Sequence, residues 1–234
     1  MTNEKTIQEE FTILSPLMKI EIHEDDAIKF KDSYGSINVS TFDPRYPPSL
    51  AQKFPIEYNS FRKTVLDNLS KKKIIFSFIE NANDIGFLLH FSDSLYGPID
   101  RFYQINNSNL ELVSDASQYK ILTDSFKNKL GKYIAQKIDP VDPKPTEMVS
   151  FEMTDVVKYL LDNNYELPRT AHFQVLTVDF EMLQYTAEIT NYNAGDAENK
   201  GRISIGSRIS YSYFENGTIV TGKLPLYDIG TLHP

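Results

Sequence analysis

The sequence predicts an α+β fold with mixed or antiparallel sheets and a few helices. Three observations carry this prediction. Glu215-Asn216-Gly217-Thr218 joins two alternating apolar and polar stretches. Ile74–Ile79 and Ile85–Phe91 are short apolar runs, and Ser114–Ile138 places apolar residues at helical spacing. Short runs and alternation indicate strands, whereas a spacing of three and four residues indicates a helix.

The most detailed prediction is a β-hairpin that turns at the Asn-Gly pair. Asn and Gly supply the positive φ angles of a type I′ turn, whose twist matches that of a β-hairpin. A two-residue turn also sets the register of the two strands. The expected cross-strand pairs are Phe214 with Ile219, Tyr213 with Val220, Ser212 with Thr221, Tyr211 with Gly222 and Ile209 with Leu224. Tyr211 is therefore expected to cover a strand glycine.

The first part of the chain reads as a mixed α/β region. Strands are expected at Phe11–Leu14, Leu17–His23 and Ile37–Thr41, with an acidic turn at 23–26. Four prolines across Asp43–Pro55 exclude a regular helix or a central strand there. This proline loop reads as a rigid surface crossing, with a binding loop as the alternative.

A helix is then predicted at Ile56–Leu69, and the two apolar runs that follow are expected to form a hairpin across Glu80–Asp84. The longest predicted helix is Ser114–Ile138, with Ser114 or Asp115 as its N-cap. Pro140 ends it.

The clearest boundary is the proline-rich segment 139–146. The mixed α/β region 1–138, with this segment, carries 18 basic and 20 acidic residues, whereas residues 147–234 carry 6 and 12. Two subdomains or one continuous domain both fit this change. In the acidic second region, Thr154 is expected to cap a helix at Asp155–Asn163. Strands at His172–Val178 and Met182–Ile189 then lead into the hairpin, giving a helix plus an antiparallel meander of about four strands.

Composition excludes several classes of protein. The chain of 234 residues has no cysteine, which removes disulfides, thiolate metal sites and cysteine nucleophiles. A net charge of −8 argues against nucleic-acid partners. No apolar run reaches the length of a membrane helix, and no basic, apolar leader opens the chain. We therefore expect no membrane partner and a cytoplasmic location, with non-classical export or injection as alternatives.

The 29 aromatic residues have a simple explanation. Phe, Tyr, Met, Ile, Asn and Lys, which all have AT-rich codons, number 90 residues, and Lys outnumbers Arg 18 to 6. This bias is typical of an AT-rich bacterial or phage genome. Because most of the aromatics fall on apolar stripes, we expect them mainly in the core.

Catalytic and metal-binding motifs are not recognised. The four histidines show no pair at a zinc-binding spacing, and no nucleophile elbow or phosphate-binding loop occurs. His90 and His172 are expected on sheet faces. The alternative is that they share a cleft beside Arg101 or Arg169. No catalytic residue, metal or cofactor is assigned.

The remaining candidates for surface function lie in three places: the proline loop, the Tyr96–Tyr103 segment and the polar face of the C-terminal sheet. Arginine is scarce here, and its fork of donors suits anions. The candidate binding residues are Tyr46, Tyr96, Arg101, Tyr103, Arg208, Ser210 and Ser212.

Three functions stay open. The first is a non-catalytic protein-interaction or assembly protein, such as an accessory subunit, a phage-like structural component or a toxin-neutralising partner. Its partner would be another protein or a second copy of the chain, and tyrosine is enriched at such interfaces. The second is a small-molecule binding module. The third is a hydrolase with an unrecognised carboxylate or histidine site.

Overall fold

The structure is a computed structural model that describes residues 21–168, 171–185, 201–227 and 231–233. Its helices are α1 Glu24–Gly35, α2 Tyr58–Leu66, α3 Ala116–Asn128, α4 Leu130–Ile138 and α5 Met153–Glu166. Its first strands are β1 Glu21–Ile22, β2 Lys53–Glu57, β3 Lys73–Asn81, β4 Asp84–Ser92, β5 Phe102–Asn106 and β6 Asn109–Val113. The later strands are β7 Met148–Glu152, β8 Phe173–Gln184, β9 Ile203–Glu215, β10 Thr218–Lys223, β11 Leu226–Tyr227 and β12 Thr231–His233.

The described strands form two antiparallel sheets, which confirms the α+β class. Sheet 1 has the order β1-β11-β9-β8-β2, with β10 also paired to β9. Sheet 2 has the order β12-β7-β3-β4-β5-β6. Each sheet contains strands from both sides of the segment 139–146, because β3 pairs with β7 and β2 pairs with β8. The change in composition along the chain therefore does not separate the sheets.

The inner faces of the two sheets share one apolar core. Phe76 of β3 and Phe180 of β8 are in contact there, with ring centroids 4.6 Å apart. Helix α1 covers part of the outer face of sheet 1, where Phe30 packs near Leu183. Helix α3 covers the outer face of sheet 2, where Tyr119 meets Phe102. No described helix is both long and apolar enough to cross a membrane.

The two predicted hairpins are confirmed. Strands β3 and β4 pair across Ala82 and Asn83, and β9 pairs with β10 in the expected register, including Tyr211 opposite Gly222. Asn216 and Gly217 have φ angles of 50° and 80°, the positive values that a type I′ turn requires.

The acidic turn predicted at 23–26 is wrong. Glu24, Asp25 and Asp26 form the first turn of α1. Acidic side chains stabilise a helix N-terminus because they complement its partial positive charge. The strand predicted at Ile37–Thr41 is also absent. There Asn38 Oδ1 accepts a hydrogen bond from the Ser40 amide and bends the backbone into a turn.

The predicted helix at Ser114–Ile138 is divided into α3 and α4 at Lys129, whose φ and ψ angles are −129° and −92°. Asp115 caps its start, as expected, since its Oδ1 accepts from the Ser117 amide at 3.0 Å. By contrast, α5 begins at Met153 with no side-chain cap, so Thr154 is not its N-cap.

The strands predicted at His172–Val178 and Met182–Ile189 are one strand, β8, within the described residues. Asp179 and Glu181 interrupt the apolar pattern and so suggest the end of a strand. In the structure they are buried within β8, where they form ion pairs. Phe11–Leu14 and residues 186–189 lie outside the described residues. Pro55 lies in β2, a terminal strand of the described sheet 1, and this agrees with the exclusion of a central strand there.

Candidate functional site

A pocket of about 350 Å³ lies at one end of sheet 2. Its walls are formed by the turn after α2, the last residues of β4, the connection to β5 and the start of β5. The residues that define its chemistry are Asn68, Lys71, Phe91, Asp93, Arg101 and Tyr103. The pocket therefore contains Arg101 and Tyr103, two of the binding residues predicted from the sequence.

Arg101 is held in place by a buried amide. Its Nη2 donates to Asn68 Oδ1 at 3.1 Å, and Asn68 is only 3% exposed. Asn68 Nδ2 in turn donates to the Thr64 carbonyl at 2.8 Å and lies 3.3 Å from the Tyr103 hydroxyl. The amide is thus fixed by the preceding helix α2, and its oxygen accepts from the guanidinium and positions that charged donor.

A second cation and two aromatic rings complete the pocket. Lys71 Nζ lies 3.1 Å from Asp93 Oδ2, and both side chains are partly exposed. Phe91 and Tyr103 meet edge to face with centroids 5.8 Å apart. The lining therefore offers two positive charges, an apolar wall and two acidic groups, Asp93 and Asp100.

The connection between β4 and β5 folds back on itself. Ser94 donates its amide to Ser92 Oγ at 3.3 Å, and Gly97 donates its amide to the Ser94 carbonyl at 3.3 Å. A methyl group at position 97 would lie 2.7 Å from Ser92 Oγ, so the Ser92 side chain would have to shift to admit it. The compact turn places Arg101 at the pocket. Tyr96 lies on the same connection but is 74% exposed and is not part of the lining.

A second candidate surface is the arm, which we define as residues 173–177 of β8, residues 210–215 of β9 and all of β10. It extends sheet 1 beyond the core, because residues 203–209 of β9 are buried whereas its later residues are partly or fully exposed. One face carries the aromatic cluster Phe173, Tyr211 and Tyr213. The opposite face carries Ser210 and Ser212, the predicted polar face.

The polar face also carries apolar side chains. Val175, Phe214 and Ile219 are 51%, 54% and 56% exposed. Phe214 and Ile219 are directly opposite each other, and Val175 is opposite Ser212. Because side chains alternate along a strand, these residues and the two serines share one face. The face is therefore mixed rather than purely polar.

Arg208 lies further along this face, under α1. It was predicted as a binding residue but is buried. It is 3% exposed, with Nε 3.3 Å from Glu181 Oε1 and Nη2 3.4 Å from Glu24 Oε2. Nε has no aligned hydrogen bond, so its contact with Glu181 is an ion pair only. Lys31 lies 3.2 Å from the other oxygen of Glu181. Arg208 therefore joins helix α1 to sheet 1.

Ser210 is likewise engaged within the protein. Its hydroxyl donates to Asp179, which is fully buried and also lies 2.6 Å from Lys53 Nζ. Thr177 donates to the second oxygen of Asp179 at 2.9 Å. Ser212, two residues further along β9, is partly exposed on the arm.

Tyr46 is buried in the core instead of lying exposed on the proline loop. Its ring packs edge to face on Tyr133 with centroids 5.9 Å apart. Burial, and then the nearby Glu80 carboxylate, raise the pKa of Tyr46 above its usual value. The loop beside it is fixed by Arg45, which pairs with Asp43 and lowers the pKa of that carboxyl to about 2.

The two histidines considered for a shared cleft are not on the same sheet. His90 is on β4 of sheet 2, where it is 2% exposed and packs edge to face on Tyr119. Burial lowers the pKa of His90 to about 4. His172 is exposed and immediately precedes β8 of sheet 1. No group of three metal-ligating side chains occurs within the described ranges.

Asn68 and Lys71 are not among the binding residues that the sequence predicts. Asn68 falls within the predicted helix Ile56–Leu69, and Lys71 follows it among three consecutive lysines. The feature that distinguishes Asn68 is its spacing to Phe61 and Val65, which continues the buried side of α2 into the turn that follows it. Its contact with Arg101 is formed across 33 residues, so no local pattern predicts it.

Comparison of the chain with protein-family models, with curated proteins and with solved structures finds no match in any of the three.

Proposed function

We propose that this protein acts by protein–protein association and that its first partner is a second copy of itself, joined along β10. The observation that carries the proposal is the outer edge of β10. Among the described residues this strand pairs with β9 alone. An edge strand presents a row of backbone donors and acceptors to any strand that approaches it.

The hydrogen-bond pattern identifies which backbone groups point outward. Leu224 donates its amide to the Ile209 carbonyl at 2.9 Å. Bonded and non-bonded pairs alternate in an antiparallel ladder, so Thr218, Val220 and Gly222 bond to β9. The amides and carbonyls of Ile219, Thr221 and Lys223 therefore point away from β9.

This edge has few of the features that prevent edge-to-edge pairing. Thr218–Gly222 contains no charge and no proline, and its pairing with β9 has no bulge. Charges, prolines and bulges are the usual means by which proteins protect edges. Lys223 is the one charged residue of the strand.

Local charge does not oppose a second copy at this place. The chain carries a net charge of −8, so the approach of two copies is least unfavourable where the surface is neutral. The arm carries one acidic and one basic residue, Glu215 and Lys223, and is therefore neutral. Two β10 strands that pair antiparallel across a two-fold axis would make the same contacts in both directions, as most homodimers do. They would also place the exposed Ile219 of each copy beside β10 of the other.

The test is the molar mass in solution, measured by light scattering after size exclusion from micromolar to near-millimolar protein. We expect a dimer. Thr221→Pro removes an outward amide without removing a bond to β9 and should give a monomer. Thr221→Val keeps the amide and should remain dimeric.

Ile219→Lys provides a second variant, since it places like charges on the paired edges. It should also give a monomer. A wild-type chain that stays monomeric throughout this range contradicts the proposal. So does a dimer that both Thr221→Pro and Ile219→Lys leave intact.

A further inference from the structure

Arg101 differs from Arg45 and Arg208 in its partner. Arg45 pairs with Asp43, and Arg208 pairs with Glu24 and Glu181. Arg101 bonds to the neutral amide of Asn68 and has no carboxylate within ion-pair distance among the described residues. Its charge is thus available to a ligand, and guanidinium groups bind carboxylate and phosphate oxygens with two parallel donors.

The geometry around Arg101 is prepared before any ligand arrives. Asn68 is buried and fixed by the Thr64 carbonyl and the Tyr103 hydroxyl, so it holds the guanidinium at one orientation. Orienting a donor in advance reduces the entropy that binding would otherwise cost. Arg101 is exposed at the pocket, where a ligand can reach its oriented guanidinium.

The wall beside Arg101 is aromatic. Phe91 and Tyr103 both line the pocket and contact each other edge to face. A volume of about 350 Å³ is at the lower end of the range for small-molecule sites. The combination of a fixed cation and an aromatic wall suits a molecule with one anionic group and one apolar or ring-shaped part.

We propose that this pocket binds a small organic anion. A carboxylate or phosphate oxygen of the ligand pairs with Arg101, and its ring or apolar part lies against Phe91 and Tyr103. Lys71 is a second cation in the lining, but Asp93 lies 3.1 Å from its ammonium and competes with the ligand for it. The site is on sheet 2 and is separate from the β10 edge.

Two variants are expected to change the affinity for the ligand in opposite directions. Arg101→Gln removes the charge and keeps a polar side chain at an exposed position. Asp93→Asn releases Lys71 and is made at an exposed position. Arg45→Gln is the matched control, because it removes an arginine that does not line the pocket.

Binding is measured by isothermal titration and by amide chemical shifts, with benzoate, phenyl phosphate, inorganic phosphate and benzyl alcohol as probes. Benzoate and phenyl phosphate distinguish the two anionic groups, inorganic phosphate lacks the ring, and benzyl alcohol lacks the charge. We expect at least one ring-bearing anion to bind more tightly than benzyl alcohol and than inorganic phosphate.

For that probe, Arg101→Gln should weaken binding by about tenfold or more, as expected for loss of a charged hydrogen bond. Asp93→Asn should strengthen it several-fold, and Arg45→Gln should leave it unchanged. The proposal is overturned if no ring-bearing anion shifts signals of pocket residues at millimolar concentration. It is equally overturned if Arg101→Gln binds as the wild type does, or if Asp93→Asn weakens binding.

Discussion

Gly131 lies directly against the ring of Phe126: a methyl group at position 131 would stand 2.6 Å from Phe126 Cε1. Phe126 is buried near the end of α3, and Gly131 is in the first turn of α4. The ring therefore packs against the backbone where α3 ends and α4 begins. Only a residue without a side chain leaves room for it.

Gly131→Ala should destabilise the protein by about 2 kcal/mol, the usual cost of overpacking a core. In an ordinary helix position the same change stabilises by about 0.5–1 kcal/mol, so the sign itself is informative. Urea unfolding measures the difference. Gly222→Ala is the comparison, because there the methyl group meets the outer end of the half-exposed Tyr211 ring, which can move aside. Equal losses for the two variants would contradict this account.

The break at Lys129 shows what a periodic pattern cannot predict. The apolar spacing of Ser114–Ile138 continues through both helices, so the sequence indicates a single helix. The division coincides with the close packing of the Phe126 ring against Gly131, which the apolar spacing does not indicate. By contrast, the β9–β10 hairpin was predicted to the residue, because the Asn-Gly turn determines its register locally.

The candidate site was predicted in part. Arg101 and Tyr103 were selected from the sequence and lie together in the pocket. Tyr46, Arg208 and Ser210 were selected on the same reasoning but are engaged inside the protein. Their partners come from distant parts of the chain, such as Glu24 for Arg208, 184 residues away. Residue type and local pattern identify what a side chain can do, but not whether another part of the fold already occupies it.

Burial of His90 predicts a loss of stability in acid. Its pKa is about 4 in the folded protein, against an ordinary value of about 6.5. Between these values the unfolded chain binds a proton that the folded protein does not, so stability falls as the pH falls. Through His90, the unfolding free energy should fall by about 3 kcal/mol as the pH falls from 6.5 to 4. His90→Leu should remove this part of the pH dependence of the unfolding free energy.

The control for His90 is Leu88→Val, on the same strand and the same face of sheet 2. It lowers stability by reducing a buried side chain but removes no titrating group. Its unfolding free energy, plotted against pH, should therefore run parallel to that of the wild type. If His90→Leu also runs parallel, the loss of stability in acid has another source.

The ion pair between Arg208 and Glu181 predicts strong coupling. Removing one member of a buried pair leaves the other charge without compensation, which typically costs about 3–5 kcal/mol. Lys31 also contacts Glu181 and partly compensates its charge. We therefore expect Arg208→Met to lower the unfolding free energy by about 3 kcal/mol, near the lower end of this range. The double variant Arg208→Met/Glu181→Leu should lose less stability than the sum of the two single variants. Urea unfolding of all four proteins measures the coupling, and additive losses would show that the pair does not interact.

The two proposed contacts lie on different sheets and should act independently. Strand β10 belongs to sheet 1, whereas Arg101 and the pocket belong to sheet 2. Thr221→Pro should therefore abolish the dimer and leave the affinity for the ring-bearing anion unchanged. Arg101→Gln should weaken binding of the anion and leave the molar mass of the dimer unchanged. Additivity is expected for sites that share no contacting residues. A Thr221→Pro monomer that binds the anion several-fold more weakly would show instead that the pocket depends on the dimer.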